Sequence, residues 1–312
     1  MQEKPLVYVL CGPTASGKTA LSLALSRRHG AEILCMDSMQ VYQRMDIGTA
    51  KPTAAERALV PHHLLDLVPP DAEYSVAQWT TEAEQAIRGV LARGNKPLLV
   101  GGTGFYLRAM RRQLPLGDAA KDPAIRAALE REAAAEGGKE RLHRRLEEVD
   151  AVTAARLHVN DTRRVIRALE VYAVTGRPFS AQPDSAAEAP FRFRVAALTM
   201  DRGLLYARIN ARVEQMMAAG LAGEVRGLLD SGVSPEAQSM KGIGYKELIP
   251  CVTGGRDPAE AVAEIQQNTR HYAKRQWTWM RREEDVRWVD SLGPDALAQL
   301  EAYFFGEDQH DD

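Results

Sequence analysis

Zinc fingers need closely spaced cysteine pairs and disulfide frameworks an even set of cysteines, and this sequence offers neither. Its three cysteines, Cys11, Cys35 and Cys251, lie far apart with no C-x-x-C pair, so they read as small core residues. No stretch approaches the roughly 20 consecutive apolar residues of a membrane-spanning helix, and Glu3 and Lys4 precede only a short apolar run. Neither a transmembrane segment nor a signal peptide is expected, and a cytoplasmic location is. An excess of one charge is lacking too: the formal net charge is −2, which leaves any nucleic-acid partner to a local basic patch. Hydrophobic residues make up 45% of the 312 positions, enough for one large domain or a core with an insertion. No internal repeat is visible.

Against these absences stands one strong motif. The apolar run Leu6–Cys11 leads directly into Gly12-Pro13-Thr14-Ala15-Ser16-Gly17-Lys18-Thr19, which fits the phosphate-loop pattern G-x-x-x-x-G-K-[ST]. A strand entering a glycine-rich turn that opens a helix points successive backbone N–H groups, and the helix's positive end, at one place where a di- or triphosphate can sit. Lys18 would add a point charge, Thr19 a hydroxyl for Mg2+, and Thr14 or Ser16 further hydroxyl contacts. The pattern predicts a phosphorylated ligand, with nucleotides such as ATP the general expectation, and leaves open which bond is broken.

Lys18 to Arg28 reads as a helix closed by Gly30, and Ile33–Met36 as a short buried strand. A further strand is expected at His63–Val68, a long helix from Ser75 to Arg93, and another strand leading to Gly101-Gly102. Strands alternating with helices predict an α/β fold of P-loop NTPase-like type, a parallel sheet flanked by helices. In such sheets ligands collect beyond the carboxyl ends of the strands, where Asp37 and Gly101-Gly102-Thr103-Gly104 fall. From about Asp118 to about Pro190 the pattern turns helical, with candidates at Pro123–Glu136, Glu140–Val149, Ala151–Leu157 and Thr162–Thr175 before Gly176. The expected organisation is an all-helical insertion domain, 118–190, within an α/β core and C-terminal helical region formed by 1–117 and 191–312. Ala181–Ala189 reads as a polar linker, Phe193–Met200 as the returning strand, Met240–Tyr245 as a glycine-bearing loop and Pro258 to about Arg282 as a long helix. Val286–Val289 reads as a final strand, and the acidic tail Glu307–Asp312 as frayed.

Asp37 would either cap a turn or act on a ligand held by the phosphate loop, taking a proton or holding Mg2+ through water; its position favours the second. Thr103 is read equally as a donor to a bridging or leaving oxygen and as a helix N-cap. Arg226 would neutralise charge on a departing phosphate or be an ordinary surface arginine, as its spacing alone favours. Basic groups cluster at Arg163, Arg164 and Arg167, and again where Arg270, Lys274, Trp277 and Arg281 share a helix face with Arg275 and Arg282 beside it. Such runs are usually solvated faces; here no acid relieves the second one, and Trp277 and Trp279 are interleaved, which makes phosphate-backbone contact an equal alternative. Lys241-Gly242-Ile243-Gly244-Tyr245-Lys246 would allow a close backbone approach with Tyr245 stacking on a base, or be a loop with a packed tyrosine.

Six blocks follow one another along nearly the whole chain: Gly12–Thr19, Asp37-Ser38-Met39-Gln40-Val41-Tyr42 continuing through Met45–Pro52, Gly101–Gly104, Asn160–Arg164, Ser239–Tyr245 and Lys274–Trp279. In this order they resemble the bacterial tRNA dimethylallyltransferases, Asp37 to Pro52 most specifically. The zinc finger of eukaryotic members is absent. The resemblance implies transfer of a dimethylallyl group from dimethylallyl diphosphate to the exocyclic N6 amine of the adenine 3′ of the tRNA anticodon, releasing diphosphate. It implies that Gly12–Thr19 holds that diphosphate rather than ATP, with Mg2+ as cofactor on Thr19 and, through water, Asp37. By the same resemblance Asp37 would be the general base, Thr103 would hold the donor's bridging region or orient Asp37, and Lys18, Mg2+ and Arg226 would stabilise the leaving group. The adenine would be flipped into a channel between core and insertion. Matching the family's tRNA-gripping regions are Asp37, Ser38, Met39 and Gln40; Asp161, Thr162, Arg163, Arg164 and Val165; Lys241, Gly242, Ile243, Gly244, Tyr245 and Lys246; and Lys274, Arg275, Gln276, Trp277 and Arg281. A monomer acting on the anticodon stem-loop, away from membranes, is the expected form. From the residues alone the rival is a P-loop kinase for a small molecule or nucleotide, and a nucleotide-switched RNA-binding protein is a third reading.

Overall fold

The run Leu6–Cys11 has the apolar pattern of a strand covered on both faces. In the computed structural model, which describes residues 3–112, 122–181 and 188–306, it forms β1 (Leu6–Cys11). There follow α1 (Lys18–His29), β2 (Ala31–Met36), α2 (Ala54–Leu59), β3 (His62–His63), α3 (Val76–Ala92), β4 (Lys96–Gly101) and α4 (Gly104–Arg112). Next come α5 (Pro123–Ala134), α6 (Gly138–Val149), α7 (Ala151–Ala154) and α8 (Thr162–Thr175). Then β5 (Arg192–Thr199), α9 (Arg202–Ala218), α10 (Leu221–Asp230), α11 (Tyr245–Val252), α12 (Pro258–Met280), β6 (Val286–Asp290) and α13 (Ala296–Phe305) close the described chain.

Among the described residues six strands form one sheet, in the order β3-β2-β4-β1-β5-β6 with every pair parallel. The chain leaves β1 toward one half of the sheet and returns past it to the other, so the loop after β1 opens at the crevice where such sheets take ligands. Trp79, on α3, is fully buried, stacks on Tyr106 with centroids 4.2 Å apart and donates to the Cys35 carbonyl, which pins α3 and α4 to β2. On the opposite face α13, not foreseen from the sequence, lays Leu300 and Phe304 against Tyr8, Leu10 and Leu198. Cys11 and Cys35 are buried and Cys251 partly so.

Contacts divide the chain into two compact units, Met1–Arg111 with Ala189–Asp312, and Arg112–Glu188. The second has a core of its own, built from Leu129, Leu142, Leu146, Val165, Ile166 and Leu169. Its buried Glu170 accepts from Arg126 and Arg167. Its helices fall close to their expected positions, except that α7 stops at Ala154.

The strand expected over His63–Val68 is a correction: only His62 and His63 pair with β2, and Val68 makes an isolated bridge to Tyr42. Leu64 and Asp66 adopt φ of 63° and 56°, a left-handed conformation that breaks a strand, while the Asp66 carboxylate takes Lys51 and Arg57. The linker expected over Ala181–Ala189 falls largely, and the tail Glu307–Asp312 wholly, outside the described residues. Among the described residues no helix is long and apolar enough to cross a membrane.

Candidate active site

The phosphate loop turns into α1 through Ala15 and Gly17, at φ of 63° and 93°; glycine takes the second without penalty. The first amides of α1, at Lys18 and Thr19, have no intrahelical acceptor. Lys18 Nζ donates to the carbonyls of Gly12 (2.9 Å) and Pro13 (2.8 Å), which holds the ammonium over the loop. Its burial, reinforced by the Arg212 charge and partly offset by Asp37, lowers the Lys18 pKa to about 8. Arg212 Nη1 donates to Thr14 Oγ1 at 3.4 Å, and burial lowers the pKa of the guanidinium as well. Two desolvated cations beside a cluster of N–H groups favour an anion of high charge density, as a diphosphate is.

Asp37 stands directly after β2, half-buried, on the wall of the same cavity as Lys18 and Thr19. Its Oδ1 accepts from the backbone of Met39 (2.9 Å) and Gln40 (3.4 Å). Asp37 thus caps its turn while lying on the cavity wall. Thr103 precedes α4, and its hydroxyl accepts from the Ser38 backbone N–H at 3.2 Å. That contact ties the glycine turn to the Asp37 turn. Tyr272, on α12, lines the same cavity, and burial raises its pKa far above the usual phenol value.

The cavity has a volume of about 950 Å3. It gathers the phosphate loop from Thr14 to Thr19, Asp37 to Gln40, Gly101 and Gly102, Arg208 and Arg212, Lys241 to Gly244 with Lys246, and Tyr272, Arg275 and Gln276, with Leu23, Ile33, Val100, Val213, Met216 and Ile265 as apolar lining. A neighbouring hollow of about 710 Å3 shares Arg212 and Met216. There Lys51, its side chain 1% exposed, donates to Tyr42 O (2.6 Å), Asp46 (2.8 Å) and Asp66 (2.6 Å). Glu224 grips the same loop from outside, accepting from the backbone of Asp46, Ile47 and Gly48. Lys51 and Glu224 therefore both tie down the stretch from Tyr42 to Lys51.

Several expected roles are corrected. Arg226 is exposed on α10, away from the cavity lining, because α10 packs through Leu221, Val225 and Leu228; the cations beside the phosphate loop come from α9, at Arg208 and Arg212. That pair was legible as an i, i+4 repeat after the returning strand. Tyr245 is 1% exposed, donates to Glu224 at 2.6 Å and packs so closely on Gly48 that a Cβ there would overlap its ring; it is a packed tyrosine and not a stacking platform. Trp277 is buried, and the half-buried Trp279 covers Gly104 and donates to the Gly102 carbonyl, so these aromatics line the core side of α12. Lys274, Arg275 and Arg281 remain exposed. The Gln40 amide donates inward, to Thr49 O and Ala50 O, and Gln276 is buried against the phosphate loop. Within the second unit Val165 is a core residue, Asp161 pairs with Arg164 at 3.2 Å, and Arg163 is exposed.

Comparison with known proteins agrees with this geometry. The family described as IPP transferase matches residues 40–283, and that described as isopentenyl transferase matches residues 5–63. The chain is 50% identical to a tRNA dimethylallyltransferase of Roseiflexus castenholzii over 298 residues, 96% of each chain, and 46% identical to that of Pelotomaculum thermopropionicum, over 92% of this chain and 91% of the relative. Among solved structures it resembles the full-length tRNA isopentenylpyrophosphate transferase of Bacillus halodurans, with TM-score 0.72 and 40% identity, covering 96% of this chain and 95% of that one. A eukaryotic dimethylallyltransferase acting on tRNA is similar at TM-score 0.78 and 28% identity, over 96% of this chain and 76% of that one. With a family match across more than half its length and relatives of this identity and coverage, the chain belongs to the tRNA dimethylallyltransferase, or IPP transferase, family.

Proposed function

We propose that the chain transfers a dimethylallyl group from dimethylallyl diphosphate to tRNA, at the exocyclic N6 amine of the adenine 3′ of the anticodon, releasing diphosphate. The observation that carries this is one cavity holding the phosphate loop with Lys18 and Arg212, the Asp37 carboxylate, and apolar walls. The loop amides, Lys18 and Arg212 would take the diphosphate. Leu23, Ile33 and Val213 offer the five-carbon tail a dry surface, each buried methylene-sized group contributing roughly 0.8 kcal/mol. As the allylic C–O bond breaks, its electron pair leaves with the diphosphate, and the two cations meet the growing charge. The adenine amine bonds to the allylic carbon and loses its proton to Asp37, whose orientation the Met39 and Gln40 amides hold. A stacked base cannot reach such a cavity, so the acceptor enters flipped.

Thr19 and Asp37 are hard oxygen donors on the cavity wall, of the type Mg2+ takes, while no cluster of three or more acidic, His or Cys ligands stands among the described residues. They fit a Mg2+ carried mainly on the diphosphate's own oxygens. Thr19 would hold it directly and Asp37 through water, and the ion would supply neutralisation of leaving-group charge. Exposed Lys241, Lys246 and Arg275 on the cavity wall, with Lys274 and Arg281 beyond it on α12, are suited to phosphates of the anticodon stem-loop. The reading places the work in the cytoplasm, on a monomer.

A donor competition tests the reading. Purified protein with Mg2+ and unmodified tRNA receives either ATP or dimethylallyl diphosphate, and the tRNA is analysed by mass spectrometry. Only the second donor should add a five-carbon unit, on the adenine 3′ of the anticodon. Phosphate transfer from ATP with no prenyl adduct would overturn the proposal in favour of a kinase.

A further inference from the structure

Gln276 is 3% exposed, in a stripe of α12 otherwise formed by Ala273, Trp277 and Met280. An apolar side chain would fill that stripe at lower desolvation cost, so what distinguishes the glutamine is what its amide touches. Oε1 accepts from the Thr14 backbone N–H at 2.8 Å, and Nε2 donates to the Gly102 carbonyl at 3.3 Å. These contacts end on the two halves of the chemistry. Thr14 belongs to the phosphate loop, and its hydroxyl takes Arg212. Gly102 precedes Thr103, whose hydroxyl accepts from Ser38 beside Asp37. The approach is so close that a Cβ on Gly102 would overlap Nε2 of Gln276.

We propose that Gln276 is a positioning residue that sets the separation between the leaving-group loop and the proton-accepting turn, acting as a clamp between Thr14 and Gly102 and not as a tRNA contact. The inference rests on the reading that Gly12–Thr19 holds the donor diphosphate and Asp37 takes the proton. Breaking the C–O bond and forming the C–N bond share one axis at the allylic carbon. A displacement of about 1 Å between the groups that flank it costs on the order of 100-fold in rate. The clamp therefore bears on the chemical step while leaving ground-state binding of either substrate largely alone.

Two variants test this in the full chain, by single-turnover transfer at saturating donor and tRNA. Q276M keeps the length and loses both hydrogen bonds. Its rate constant should fall by about 10- to 100-fold, with the reacting amplitude and the tRNA Kd unchanged. Q276E separates a clamp from mere filling of space. Protonated, its carboxylic acid still offers a carbonyl acceptor and an O–H donor; ionised, it has no donor for Gly102. Its rate relative to wild type should therefore rise as pH falls through the carboxyl pKa, while the Q276M ratio stays flat. Should Q276M fail to fold, the Q276E ratio decides alone, and a flat ratio overturns the clamp. Wild-type rates in Q276M, or a loss confined to the tRNA Kd, overturn it equally. A wild-type protein that transfers no prenyl group overturns instead the reading on which the clamp rests.

Discussion

Replacing Arg212 by Ala, with Arg226→Ala beside it, decides which arginine meets the leaving group. Arg212 Nη1 stands 3.4 Å from Thr14 Oγ1, so a phosphate oxygen taken by the loop at Thr14 would lie on the order of 5 Å from the guanidinium, one further hydrogen-bond length away. At an effective dielectric near 20 a unit charge there interacts by about 3 kcal/mol. Cleavage adds about one unit of charge to the diphosphate, so about 100-fold should be lost from kcat, with a further loss in donor binding from the charge already present. R226A, exposed and not on the cavity wall, should stay within about twofold of wild type. A second readout is independent of these magnitudes. The Lys18 pKa is lowered to about 8, first by burial and next by Arg212. Donor capture needs the charged form, so kcat/KM in wild type should decline as pH rises through about 8. Removing Arg212 deletes one of the lowering causes and leaves burial, so in R212A that limb should move to higher pH without reaching the ordinary lysine value. Initial rates across pH 6 to about 10 measure both effects. If R212A keeps kcat within about threefold, or its alkaline limb stays in place, Arg212 is not the cation of the reaction.

Asp37→Asn preserves shape and the cap on Met39 but removes basicity; single-turnover transfer should slow by about 100-fold or more with donor affinity little changed, and a near wild-type rate would take Asp37 out of the proton transfer. Lys51→Met leaves Asp46 and Asp66 without the ammonium between them. Because Asp46 is largely exposed and Asp66 keeps Arg57, the loss in a urea titration should be about 2 kcal/mol, below the full cost of breaking a buried pair. An unchanged midpoint would show that this network does not hold the stretch from Tyr42 to Lys51. Neutralising Arg275 and Arg281 together should flatten the salt dependence of tRNA binding by about one unit of slope per lost phosphate contact; a wild-type salt slope would return this face of α12 to ordinary solvation.

Much of this architecture was legible because it depends on short stretches of chain. The phosphate loop, the Asp37 turn and the glycine turn each follow a strand directly, so recognising the strand places the residue at the sheet's carboxyl edge. The α8 helix and its Gly176 stop agree with the expected bounds for the same reason. What escaped depends on distant partners. The run His63–Val68 reads as a strand, yet Leu64 and Asp66 turn left-handed, with the Asp66 carboxylate held by Lys51 and Arg57. Tyr245 was offered to a base because the glycines around it suggested open space, whereas the space at Gly48 is filled by the tyrosine ring itself.

The long helix α12 shows how a pattern can be present and still be misread. Over Arg270–Arg282 the charges are conspicuous, and counting them assigns the whole segment to a phosphate-facing surface. The burial follows another rhythm: Ala273, Gln276, Trp277 and Met280 recur at the i, i+3, i+4, i+7 spacing of one inward stripe. Ranked by polarity, Gln276 breaks that stripe and hides it. Ranked by position, it is the one member that carries both a donor and an acceptor into the core, and its acceptor meets Thr14, 262 positions away in sequence. A buried amide must have its hydrogen bonds met, so a glutamine in an otherwise apolar stripe signals a backbone partner on another element. Here those partners are the phosphate loop and the turn beside the base, which makes the inward face of α12 as much a part of the site as the loop the motif revealed.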